Sequence, residues 1–280
     1  MIAQSLLPKE NACTVLEVSR SGFYKQKKLN PSCSDETELH AAIQQICGEF
    51  VKYGYRRVTK ELHRRGFEVN HKKIRRLMKE KHLFVKRKKR MPKMTDSNHS
   101  FQRYPNLVEN LEVTRVNQVW VTDITYVVCG KIFLYLALIM DLFSRKIVGW
   151  ELSRNVDTEL ALAALNKAVK SRGNVKECIH HSDHGSQYLA GAYMARLREL
   201  GMLPSMGEVG NSYDNAFAES LNKTIKNEEV WINEYETFEQ AYEGIAIFAK
   251  KYNEKRLHSS IGYVPPNEFE QQQLNRAKVL

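Results

Sequence analysis

Residues 119–152 read VWVTDITYVVCGKIFLYLALIMDLFSRKIVGWEL. The first part, 119–128, is rich in β-branched and aromatic side chains, which suit a pleated, half-buried backbone. Cys129-Gly130 predicts a turn, 132–142 a second apolar strand and 146–152 a third. Consecutive strands with such short connections predict an antiparallel meander. One acid, Asp123, stands inside the first strand. A carboxylate buried and unpaired in so apolar a stretch costs several kcal/mol, so Asp123 must be paired, at a rim, or bound to a metal.

Downstream, 158–170 predicts a helix with Leu160, Ala163, Ala164 and Ala168 on one face, ending near Gly173. A short buried strand over 175–181 and a helix over 188–200 follow, and a further helix spans 238–252. Three meander strands, a helix, a strand and a helix match the order of an RNase H-like fold, an α/β sheet with helices on its faces. Asp183 comes directly after the 175–181 strand, where ligands of α/β sheets commonly lie. Glu219 falls on a predicted helix.

Upstream the chain changes character. The net charge is +11, but residues 1–93 carry 23 Lys and Arg against 9 Asp and Glu, while the other 187 carry 20 against 23. The positive excess therefore lies in the first third, as in a polyanion-binding module joined to something else. Charge alone leaves a merely soluble basic surface as the alternative. Within 35–90, Asp35 predicts a cap for a helix through Ile43, Ile46 and Phe50, and a second helix over 58–65 stops at Gly66. Asn70 reads as the N-cap of a third helix over 71–82, with Val69 and Ile74 as its hydrophobic staple. That helix buries Ile74, Leu77 and Met78 and presents Lys72, Lys73, Arg75, Arg76, Lys79 and Lys81, with Glu80 the one acid among them. A short helix, a turn and a basic second helix predict a helix-turn-helix that meets DNA. The run 86–93 (KRKKRMPK) opens a linker, either a phosphate grip or a solvated tether.

Several features exclude other classes. Five cysteines are scattered with no C-x-x-C pair, which argues against a zinc ribbon or a disulfide framework and fits a reducing cytoplasm. No apolar run approaches a membrane span, and no secretory signal is read at the N-terminus. His180, His181 and His184 invite a zinc reading, but adjacent strand residues point to opposite faces. One of the first two is expected in the core and the other at a rim, with His184 a candidate to approach a phosphate. Asp141 is expected to make a structural contact with Arg145 or the backbone, and Asp214 to cap the Glu219 helix or rival Glu219 as a ligand. Trp120, Phe133 and Tyr135 read as core or rim residues. Phosphoryl transfer by two metal ions needs hard oxygen ligands from different elements meeting at one point. Asp123, Asp183 and Glu219 meet that need, although position alone does not select them from 32 acids.

The segments WVTDITY, HSDHGSQY and NSYDNAFAESLNKTIKNE resemble the three catalytic blocks of DDE transposases, and more narrowly the OrfB type of two-reading-frame insertion sequences, relatives of retroviral integrases. Thirty-five residues separate Asp183 from Glu219, the spacing this group shares. The 141–150 stretch (DLFSRKIVGW) is similar to the family's second-strand block, and Tyr53-Gly54-Tyr55-Arg56-Arg57 to the opening of its helix-turn-helix segment. Tyr252-Asn253 through Arg256, His258, Gly262, Pro265 and Pro266 resembles its C-terminal signature, and 18–24 its N-terminal block. Gly207-Glu208-Val209-Gly210 departs from the basic or serine-rich stretch often found before Tyr-Asp-Asn.

The resemblance implies an α/β, RNase H-like (integrase) catalytic core over 113–235, with an N-terminal all-α helix-turn-helix-like region over 35–90. A helical segment over 1–34, a linker over 91–112 and a C-terminal helical tail over 236–280 complete the expected order. It implies a transposase that cleaves and joins DNA strands, with two Mg²⁺ or Mn²⁺ ions on Asp123, Asp183 and Glu219. Lys226, two helical turns past Glu219 and so on the same face, is implied to contact DNA near the site, with Lys72, Lys73, Arg75, Arg76, Lys79, Arg56 and Arg57 as further DNA contacts. The implied partners are double-stranded DNA (terminal repeats and target), further copies of the chain, and an upstream-frame product or frameshift fusion. The expected location is the cytoplasm, at the nucleoid. The rival readings are a structure-specific nuclease on the same fold, without strand transfer, and a non-catalytic DNA-binding regulator derived from a transposase.

Overall fold

The computed structural model describes residues 33–83, 104–207 and 216–277. Most of the 1–34 segment, the basic run at 86–93 and Asp214 lie outside the described residues. The chain divides into two compact units, Met1–Lys86 and Arg87–Leu280.

The first unit holds α1 (Cys33–Glu49), α2 (Tyr55–Arg64) and α3 (His71–Glu80). Leu39, Ile43, Ile46 and Phe50 recur at helical spacing and are all buried. Phe50 stacks on Tyr53 with ring centroids 4.3 Å apart. Gly66 takes a φ of 87° just past the end of α2, a conformation that costs glycine little. Asn70 caps α3 as expected, its side chain accepting the Lys72 N–H at 2.8 Å. Ile74, Leu77 and Met78 form the buried face of α3.

The second unit is built on a five-stranded sheet in the order β3-β2-β1-β4-β5. Its strands are β1 (Val119–Cys129), β2 (Ile132–Asp141), β3 (Ile147–Ser153), β4 (Ile179–Ser182) and β5 (Leu203–Met206). The meander pairs antiparallel, while β4 lies parallel to β1 and β5 parallel to β4. Alternation along β1 splits the core in two. Val119, Val121 and Val127 face one side, with α7 (Ala216–Ile225) and α8 (Phe238–Glu254) packed over it. Trp120 faces the other, under α4 (Thr158–Arg172) and α6 (Gly191–Glu199). The sheet is thus buried on both faces.

Close approach of α4 to the sheet depends on Gly149. A Cβ there would run into the Ala164 carbonyl and lie 2.7 Å from the Ala168 Cβ. Asp157 caps α4, accepting the Leu160 N–H at 2.9 Å. The capping box of Thr237 and Gln240 starts α8. The last helix, α9 (Pro266–Ala277), is tied to α4 and the β2–β3 turn by Glu270, which accepts from both Arg172 and Lys146. Among the described residues after 236, α8 therefore packs on the sheet and α9 on α8.

Several sequence expectations change in detail. α1 begins at Cys33, so Asp35 lies inside the helix and not at its N-cap. β5 was not anticipated: it has four residues and contains Pro204, which a sheet tolerates at its edge. The helix expected over 188–200 is broken at Ala190, whose ψ of 138° is extended, into α5 (Ser186–Leu189) and α6. The strand expected from 175 begins only at Ile179, because Glu177 turns the chain with a φ of 64°.

Candidate active site

The pairing of β1 with β4 brings the first two acids together. Trp120 lies opposite His180 and Val121 opposite His181. The same register carried two residues further sets Asp183, just past the end of β4, beside Asp123. Asp123 shares the odd-numbered face of β1 with Val121, so it looks toward α7. Its Oδ1 accepts the Ile124 N–H at 2.8 Å and its Oδ2 accepts Asn222 Nδ2 at 2.7 Å. Asp183 Oδ1 accepts the Gly185 N–H at 3.0 Å. Glu219 stands exposed on α7, one turn before Asn222.

The electrostatics join the three acids. The Asp123 carboxyl is pushed up to about 7, first by burial, then by the charge of Asp183, with Glu219 adding in the same sense. The hydrogen bonds from Ile124 and Asn222 oppose the shift. Burial together with the Asp123 and Asp183 charges also raises the Tyr188 phenol. Its hydroxyl lies 3.2 Å from Thr122 Oγ1.

Lys226 ends the regular helix instead of continuing it. The chain passes into a π-helical turn, Lys226–Val230, and the Lys226 ammonium sits 3.7 Å from the centroid of the Tyr126 ring. Burial lowers its pKa while the Asp123 charge raises it. It therefore lies within the electrostatic reach of Asp123, although not by the uninterrupted two-turn helix that its spacing suggests.

The nearby histidines are structural. Contrary to the expectation of one core and one rim residue, both are buried. His180 Nε2 lies 2.7 Å from the Tyr193 hydroxyl, and His181 Nδ1 lies 2.9 Å from Ser205 Oγ. Tyr193 of α6 covers His180, and Ser205 of the unforeseen β5 meets His181. His184 Nε2 is engaged by the Gly207 carbonyl at 2.5 Å. Asp141 is fully buried and accepts the N–H groups of Asn117, Phe143 and Ser144, so its role is to the backbone. Trp120 is core, whereas Phe133 is 57% exposed, its ring edge-on to Tyr126.

Asn222 escaped the sequence reading. Three residues after Glu219 on a helix, it shares that residue's face, and this is the signal that marks it. Its side chain is buried, with Oδ1 lacking a protein partner.

In the first unit, Lys72, Arg75, Arg76 and Lys79 are exposed along α3 and Arg56 is exposed on α2. Lys73 lies 3.8 Å from Glu36 and Arg76 3.6 Å from Glu80. Arg57 is half-buried with its guanidinium 5.6 Å from the Tyr53 ring.

Whether divalent ions fit can be judged from the donors. Carboxylate oxygens from β1, from the loop after β4 and from α7 are the hard ligands such ions take. Among the described residues, no three acid, histidine or cysteine side chains are gathered closely enough to hold one ion as they stand. The chemistry of the site fits, and Glu219 is its least engaged member.

The sheet order, with acids on β1, after β4 and on the following helix, is that of an integrase core. Residues 113–212 and 200–266 match integrase core domain families, and residues 34–91 match an HTH-like domain. The chain is 36% identical to the insertion element IS600 31 kDa protein of Shigella sonnei, over 92% of this chain and 96% of the relative. It is also 36% identical to the transposase for insertion sequence element IS904 of Lactococcus lactis, over 78% and 87%, respectively. Among solved structures, the HTLV-2 integrase catalytic core domain aligns at 14% identity with a TM-score of 0.42, over 55% of this chain and 97% of that one. The chain belongs to the insertion-sequence transposases, of the OrfB type, that join an HTH-like domain to an integrase core. No helix among the described residues is long and apolar enough to cross a membrane.

Proposed function

We propose that the protein is a DDE transposase that cleaves DNA strands at the ends of its element and joins them to target DNA. The observation that carries this reading is geometric: the parallel β1–β4 register sets Asp183 beside Asp123, and Asn222, one turn past Glu219 on α7, bonds Asp123 at 2.7 Å. Asp123 and Asp183 would hold two Mg²⁺ or Mn²⁺ ions, with Glu219 completing the set from α7. When bound, such ions lower the pKa of an attacking water and neutralise a leaving oxygen.

The chain's own groups do the positioning. Asn222 and the Ile124 N–H fix the two oxygens of Asp123, and the Gly185 N–H fixes Asp183. Lys226 sets a cation beside the acids, where a DNA phosphate would lie. A water opens one phosphodiester, leaving a 3′-OH, and that hydroxyl then displaces a second phosphodiester. Each step makes one P–O bond and breaks one, so no Ser or Tyr nucleophile is required. Lys72, Lys73, Arg75, Arg76 and Lys79 on α3, with Arg56 and Arg57, contact the DNA backbone from the helix-turn-helix unit. Several copies assemble to bring two ends together, with an upstream-frame product or fusion supplying further end recognition, at the nucleoid.

The test is strand transfer with labelled terminal-repeat DNA and Mn²⁺, comparing the wild type with Glu219→Gln. Joined product from the wild type alone is expected. Equal yields from the two would remove Glu219 from the site, and cleavage without joining would favour a nuclease.

A further inference from the structure

We infer that Arg256, in the C-terminal signature, is a positioning residue that holds Lys226 at the active site by clamping the π-helical turn through Glu228. The inference rests on the proposed role of Lys226 in strand transfer. A π turn is rare, and its wide i→i+5 ring usually marks a functional position in a helix. Here the ring is closed by the Trp231 N–H donating to the Lys226 carbonyl at 2.9 Å. Lys226 is thus the residue whose own backbone opens the turn.

The turn needs outside support, and side chains far along the sequence give it. Arg256 donates through Nε and Nη2 to the two oxygens of Glu228, each at 2.7 Å. This is the parallel two-bond geometry that fixes a carboxylate in direction as well as distance. Arg256 is 4% exposed and the Glu228 side chain 16%, so the pair is largely shielded from water. The neighbouring Glu229 is fastened separately, accepting from the Tyr235 hydroxyl at 2.6 Å and from Asn233 Nδ2 at 2.7 Å. Val230 is buried in the core below. Three consecutive residues of the turn are therefore fastened, and Lys226 at its start lies over Tyr126, within reach of the Asp123 charge.

Arg256 is itself well placed to act as an anchor. It follows α8, whose Asn253 side chain bonds both the N–H and the carbonyl of Ile147 at the start of β3, each at 2.9 Å. The signature residues therefore tie the far edge of the sheet to the turn carrying Lys226. A lysine at position 256 keeps the charge but cannot make both bonds in one plane, so it separates geometry from charge.

The experiment uses the full-length chain and two readouts. The first is amide hydrogen exchange at Trp231 and along Lys226–Val230 in DNA-free protein, for the wild type, Arg256→Lys and Glu228→Gln. Exchange at Trp231 is expected to rise about tenfold or more in both variants, with the β1 and β2 amides unchanged. Unchanged exchange at Trp231 would overturn the clamp. The second readout is the strand-transfer rate at saturating DNA in a cycle of Arg256→Lys with Lys226→Ala. Each single variant is expected to slow turnover about tenfold, with the KM for DNA moving less. The double variant is expected to be no slower than Lys226→Ala alone, since residues acting through one another are not additive. Multiplying losses would show that Arg256 acts elsewhere and would sink the inference. An inert wild type would instead defeat the transposase reading, while the exchange data would still decide the clamp.

Discussion

At the scale of single residues, the site region is governed by burial. His180 sits fully enclosed beside Tyr193, and burial, with His181 as a second cause, depresses its pKa to about 3. In the unfolded chain an imidazole takes up its proton near 6.5. Between those values the unfolded state binds a proton that the folded state refuses. Stability therefore falls as pH drops through 6.5 and keeps falling toward 3, by up to about 1.4 kcal/mol per pH unit. His180→Gln, which keeps a polar group able to hydrogen-bond the Tyr193 hydroxyl, is expected to flatten this part of the profile. Urea midpoints at pH 7 and pH 5 check it, and an equal drop in wild type and variant would show that other groups carry the acid sensitivity.

At the scale of elements, the contact between β3 and α4 is the tightest helix–sheet approach for which a glycine is responsible. Gly149→Ala places a methyl against the Ala164 carbonyl and the Ala168 methyl, so the helix must lift from the sheet. Overpacking of this kind costs about 1–3 kcal/mol. Urea unfolding is expected to show a lower midpoint, and a midpoint equal to that of the wild type would mean that α4 shifts without cost. The strands of 119–152 and the Asn70 cap of α3 were readable from sequence because they are local: β-branched and aromatic side chains in a run, and a side-chain oxygen just before a helix. The break at Ala190 was not, since an alanine carries no helix-stopping signal. The break instead lets Tyr188 reach Thr122 while Tyr193 meets His180.

For the whole molecule, closure of the catalytic unit depends on long-range ion pairs. Glu270 on α9 takes both Arg172 of α4 and Lys146 of the β2–β3 turn. Removing it leaves Arg172, with only 11% of its side chain exposed, without its acid. Breaking a buried pair from one side costs about 3 kcal/mol or more. Glu270→Ala is expected to destabilise the unit by this order in urea and Lys146→Ala by much less, because Lys146 is 27% exposed. Similar losses from both would assign the effect to the packing of α9 rather than to the Arg172 pair.

Sequence alone determined the parts of this protein that are written locally. The strand meander, the capped helices, the basic face of α3 and the order of acids along the chain are set by residue spacing and by propensities acting over a few positions. The resemblance of whole blocks then singled out Asp123, Asp183 and Glu219, which periodicity did not. Tertiary structure decided what depends on neighbours distant in the chain. It set Asp183 beside Asp123 through the parallel β1–β4 register, brought Asn222 onto Asp123, and buried both His180 and His181 under layers that strand alternation does not reveal. It also turned the end of the Glu219 helix into a π turn held by Arg256. The reason is common to these cases: burial and hydrogen-bond pairing belong to the packed molecule. A residue's own segment fixes which face it occupies, and only the other elements decide what that face meets.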